Sequence, residues 1–156
     1  MTWGQRAVAA LEGGRGEAVA LEAEGLRVRF HAEEADRVGC AILGLCVEDK
    51  LAAARDAEGL RVWADRVAGR VTYLMERVAA IETDAANGLT LLRSAPPDRR
   101  GEIRTYYEIV LKSPGALTLM RYRYRNGDRT RTEVPCALTR EVFERLVEDL
   151  AGAMRG

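Results

Sequence analysis

The chain has 156 residues and 17.2 kDa, enough for one domain and one hydrophobic core. Apolar residues make up 47% of it and charged residues 31%, a composition that excludes a disordered chain and a collagen-like repeat. The longest uncharged stretch, Val38 to Val47, is ten residues, against the roughly 20 a helix needs to span a bilayer, so no membrane role is expected.

The start, MTWGQRAV, has no basic segment followed by an apolar run, so a cytoplasmic protein is expected. The 24 basic and 24 acidic residues cancel, but residues 1–60 carry a net −4 and residues 61–156 a net +4. All basic residues except Lys50 and Lys112 are arginine. An arginine excess can serve phosphate contact, because the guanidinium fork matches planar anions. In a neutral chain rich in Ala, Arg and Gly it reads instead as bacterial-type composition from a GC-rich genome. Three cysteines, Cys40, Cys46 and Cys136, form an odd set without CxxC spacing, which predicts reduced, mostly buried thiols.

In chain order, Thr2 with Gln5 predicts a capping box opening a short helix, stopped by Gly13 and Gly14. Residues 18–23 and 26–31 predict a hairpin about Glu24-Gly25. Its register sets Val19, Leu21 and Ala23 against Phe30, Val28 and Leu26, with Glu22 opposite Arg27 on the other face. Residues 37–47 are apolar at both parities, with Cys40 and Ile42 on one face and Leu43 and Leu45 on the other, which predicts an interior strand or an oligomer interface. Leu60, Trp63, Val67, Val71, Leu74 and Val78 share a helical stripe, which predicts a helix capped by Asp56 and running to about Arg77.

An antiparallel meander follows: 80–84 and 89–94 about Asn87-Gly88, an exposed loop from Pro96 to Glu102, then 103–112. The last of these places Tyr107, Ile109 and Leu111 on one face and Arg104, Tyr106 and Glu108 on the other. Ser113-Pro114-Gly115 predicts a type II turn into 117–125, which Asn126-Gly127 joins to 129–134. Thr139 caps a last helix whose apolar face is Val142, Phe143, Leu146, Val147 and Leu150. The fold class is therefore α+β: mainly antiparallel sheet of about seven to eight strands, with N-terminal, central and C-terminal helices. This order is similar to that of small dimeric secretion-chaperone folds, a similarity of element order without a shared motif.

The chemistry-bearing candidate is the hairpin MRYRYRNGDRTRTE. A two-residue Asn126-Gly127 turn would set Tyr124 opposite Arg129 and Tyr122 opposite Arg131, leaving Arg121, Arg123 and Arg125 together on the other face. Such a ribbon can bind an anionic polymer or another partner. The bland alternative is a solvated edge in which arginine stems cover the tyrosine rings. His31 is the only histidine, and its neighbours Glu33, Glu34 and Asp36 lack a metal-ligand spacing. No Walker loop, GxSxG or Cys–His pairing is present, and GGRG at 13–16 lacks the lysine of a phosphate cradle. No catalytic, cofactor or metal residue is therefore assigned. Two functions remain: a non-catalytic protein-binding or assembly module, expected to be homodimeric, or a nucleic-acid or anionic-polymer binder using the arginine hairpin.

Overall fold

The computed structural model describes residues 1–13 and 16–156; Gly14 and Arg15, and with them part of the GGRG stretch and of the first helix's glycine stop, lie outside. The elements are α1 (Trp3–Ala10), β1 (Glu17–Ala23), β2 (Leu26–Ala35), β3 (Gly39–Asp49), α2 (Ala57–Arg70), β4 (Arg77–Asp84), β5 (Leu89–Ala95), β6 (Asp98–Arg100), β7 (Ile103–Lys112), β8 (Ala116–Arg125), β9 (Arg131–Val134), β10 (Cys136–Thr139) and α3 (Arg140–Gly152). The class is α+β with a single antiparallel sheet. Its strands run β1-β2-β3-β8-β7-β5-β4, with β6, β9 and β10 paired off this path. No helix among the described residues is long and apolar enough to cross a membrane.

Local signals set the ends of the elements. Thr2 and Gln5 form the reciprocal capping box, Asp56 accepts from the Gly59 N–H at 2.8 Å, and Thr139 accepts from the Val142 N–H at 3.1 Å. The β1–β2 register pairs Val19 with Phe30, Leu21 with Val28 and Glu22 with Arg27, as the two-residue turn dictates. Pairings continue that order across the sheet. One row runs Leu92, Ile109, Leu119, Leu45, Phe30, Val19, and the next runs Thr90, Leu111, Leu117, Val47, Val28, Leu21. These rows meet Leu60, Trp63 and Val67 of α2 and Phe143, Leu146 and Leu150 of α3 in one core. Phe30 and Phe143 pack edge to face with centroids 5.1 Å apart.

Several expectations are corrected. The helical stripe ends early: α2 stops at Arg70, and Val71 and Leu74 are buried from the connecting segment, Val78 from β4. A stripe spaced by three or four residues also suits an irregular segment that dips repeatedly into a core, and Gly69 with the β-branched Val71 and Thr72 ends the helix. In β3 the parity switches. Gly44 adopts φ +64° as an extra residue opposite the Phe30–His31 step, so Cys40, Ile42, Leu45 and Val47 all face the core. Cys46 therefore lies on the face opposite Cys40, where unbroken alternation would place them together.

The Pro96–Glu102 loop contains a strand, β6, folded back on β7. Gly115 lacks the positive φ of a type II turn; its requirement is close approach, because a Cβ there would lie 2.6 Å from the Ala52 Cβ. The β8–β9 register is offset by two residues from the expectation, pairing Tyr124 with Arg131 and Tyr122 with Glu133. The five-residue loop 126–130 makes up the difference, with Arg129 at φ +54°. Beyond Pro135 the chain continues as β10 on the first half of β3, where β3 and β8 have parted. That anchor, rather than the turn, sets where β9 falls.

Candidate arginine–tyrosine site

One face of the sheet packs on the helices and the other stays open. On the open face, pairing of β7 with β8 sets Tyr106 beside Tyr122 and Arg104 beside Tyr124. The Tyr106 and Tyr122 rings lie 6.1 Å apart. Each tyrosine is covered by a guanidinium from a different strand: Arg93 over Tyr106 at 4.9 Å, Arg104 over Tyr124 at 4.8 Å and Arg131 over Tyr122 at 3.8 Å. Glu108, only 4% exposed, ties two of them together, accepting from Arg131 at 2.8 Å and from Arg93 at 3.0 Å. Its hydrogen bond raises the Arg131 guanidinium above its ordinary value, so Arg131 stays cationic. Burial raises the Tyr122 phenol, which keeps it neutral and donating to the Met120 Sδ at 3.0 Å.

The seven residues singled out in the sequence do not form one exposed ribbon. Arg121 lies mostly inside, paired with Glu76 at 3.3 Å and stacked on Tyr107 at 4.3 Å. Burial pushes the Tyr107 phenol up to about 12. Arg131 is committed to Glu108, and Arg125 approaches Asp128 at 3.9 Å. Arg123 and Arg129 are exposed, Arg129 in the loop. Arg121, Arg123 and Arg125 do share one parity of β8, but it is the core parity of Leu117 and Leu119, continued past the helices. Tyr122 and Tyr124 are half-buried on the open face.

Sequence reasoning missed Arg93, Arg104, Tyr106, Glu108 and Glu76 as members of the cluster. A usable signal was present: Arg104, Tyr106 and Glu108 occupy one parity of β7, and pairing with β8 brings that parity beside Tyr122 and Tyr124.

The remaining candidates stay apart. His31 is half-buried on β2, and Asp36 accepts from the N–H groups of Val38 and Gly39, each at 2.8 Å. Among the described residues no three His, Cys, Asp or Glu side chains gather as a metal set would. The three thiols are unpaired. Burial pushes Cys40 up to about 11 and Cys136 up to about 12, so both stay protonated near neutrality and make poor nucleophiles. Compared with protein-family models, curated proteins and solved structures, the chain matches none.

Proposed function

We propose that this chain is a non-catalytic assembly module that works as a homodimer, with two copies meeting along β4. The main path of the sheet ends at β1 and β4, and the condition of these two strands differs. At β1 the Arg6 guanidinium donates to the Glu22 carbonyl at 3.3 Å, and Glu17 and Glu22 crowd the strand with charge. The β4 edge carries exposed Ala79, Ala80 and Ile81, the last 53% exposed, and Met75, two residues before the strand, is 86% exposed. An uncovered edge of this kind is a template for another strand.

The observation that carries the reading is the self-complementarity of β4. Antiparallel pairing about a twofold axis between Ala80 and Ile81 sets Arg77 of one copy opposite Asp84 of the other, Val78 opposite Thr83, and Ala79 opposite Glu82. Opposite charges then meet at both ends, with Ala80 against Ile81 at the axis and Glu82 facing the small Ala79. The desolvated, unpaired thiols suit a reducing compartment, so the cytoplasm is the proposed location.

Sedimentation equilibrium tests this. The chain should sediment at twice its 17.2 kDa, and Ile81→Lys, which sets two cations beside the axis, should halve that mass without unfolding the monomer. A monomeric wild type, or a dimer indifferent to Ile81→Lys, would remove β4 as the meeting surface.

A second reading, binding of an anionic polymer, is narrowed to Arg123, Arg125 and Arg129, since Arg121 and Arg131 already have buried carboxylate partners. Polyanion affinity that falls steeply with salt and disappears on changing these three to Gln would favour it.

A further inference from the structure

Beside the tyrosine stack, a pocket of about 410 Å³ opens between the β6–β7 hairpin and the end of β5. Its functional walls are Arg93, Arg99, Arg104, Tyr106 and Tyr124, and no carboxylate lines it. We propose that this pocket binds a small organic phosphate, its phosphoryl group held by the guanidiniums and its planar body laid against the tyrosine rings.

Four observations lead there. First, Arg99 and Arg104 are direct cross-strand partners. Like charges at such a position repel, and an anion between them turns that repulsion into attraction. Second, Arg93 commits one terminal nitrogen to Glu108 while its Nε is buried without a hydrogen-bond partner. A guanidinium anchored on one side and unsatisfied on another is oriented in advance, so little entropy is lost when it meets a ligand. Third, Tyr106 and Tyr124 are each held by a stacked arginine, Arg93 and Arg104, so the apolar wall is also in place. Fourth, the pocket volume lies within the range of small-ligand sites.

The number of guanidiniums favours a phosphoryl group over a carboxylate. Three forks offer more donors than two oxygens accept, and a phosphate monoester presents three oxygens and close to two negative charges. The placement of the other cations favours a small ligand over a polymer. Arg123 and Arg125 have the core parity of β8 and so leave from the opposite face, and Arg131, on the pocket's own face, is already paired with Glu108.

The test is calorimetric titration of the full chain with phenyl phosphate and adenosine 5′-monophosphate, alongside adenosine and inorganic phosphate. At least one of the two esters should bind saturably with one site per chain, at least tenfold more tightly than adenosine or inorganic phosphate. Arg99→Gln and Arg104→Gln should each weaken that ester at least tenfold, whereas Arg123→Gln leaves it unchanged. Arg99 is exposed, so its variant keeps the fold and separates lost binding from lost structure. Failure of both esters to bind, or equal binding by wild type and Arg99→Gln, would overturn the proposal. So would a single-stranded oligonucleotide that binds more tightly than either ester and is weakened as much by Arg123→Gln as by Arg104→Gln. Ile81→Lys should keep the ester affinity, which separates this site from the β4 interface.

Discussion

Arg121 and Glu76 meet at 3.3 Å with side chains 12% and 6% exposed, joining the middle of β8 to the segment that leads into β4. Ser94 donates a second hydrogen bond to the same Glu76 oxygen at 3.4 Å, and its Oγ accepts from the Tyr107 N–H at 2.7 Å. A pair this deep behaves differently from a surface one, because removing one member strands the other charge away from water. Arg121→Gln should therefore destabilise the fold by about 3 kcal/mol, while Arg123→Gln, on the same strand face but exposed, should change it by less than about 0.5 kcal/mol. Urea unfolding of the two variants checks this; equal small effects would mean that Arg121 is solvated.

The C-terminus is closed by a second ion pair. Arg155 reaches both Asp49 oxygens, at 2.9 and 3.0 Å, and donates to the Glu24 carbonyl at 2.8 Å, so the last turn grips the end of β3 and the β1–β2 turn. The Arg155 hydrogen bond holds the Asp49 carboxyl below its ordinary value. A depressed folded value means that the contribution is present above the unfolded value of about 3.9 and is lost as pH falls through the folded one. Asp49→Asn should cost about 1–2 kcal/mol at pH 7, less than a fully buried pair because Arg155 is 44% exposed. The gap between wild type and variant should narrow in chemical denaturation as the pH falls below the unfolded value of about 3.9.

Gly44 sets the face on which half of β3 lies. Its φ of +64° is accessible to glycine, and an added Cβ would meet only the Glu133 Oε1, at 3.5 Å. Steric room is adequate, so the cost of Gly44→Ala is that of the left-handed backbone, about 1–2 kcal/mol. Thermal unfolding should show that loss; a neutral substitution would mean that the bulge relaxes without effect on Leu45 and Val47.

Phe143 joins the two layers of the fold. It is fully buried and its ring meets Phe30 edge to face. Phe143→Ala removes an interlayer contact at a point where both the helix and the sheet are held by many others, so collapse into the void is limited. A loss of about 3–5 kcal/mol is expected in denaturant unfolding. A value below about 1 kcal/mol would mean that α3 moves in to fill the space.

What the sequence by itself determined is local. Thr2 with Gln5, Asp56 and Thr139 place the starts of the three helices because a cap needs only partners within three residues. The β1–β2 register follows from a two-residue turn and an apolar face that agree with each other. What only the tertiary structure decided depends on neighbours far away in the chain. Val71 and Leu74 carry a helical spacing, yet leave the helix because the core beneath the α2–β4 connection needs filling. The β8–β9 turn sequence favours a two-residue loop, but β10 is pinned to β3 and so shifts Tyr122 and Tyr124 by two places. Arg121 reads as one of five exposed cations until Glu76, 45 residues earlier, closes over it. Glu108 likewise reads only as a neighbour of Arg104 and Tyr106 on one strand face until Arg93 and Arg131 arrive from either side. Charge compensation and burial act between strands, so sequence spacing within any one strand does not encode them.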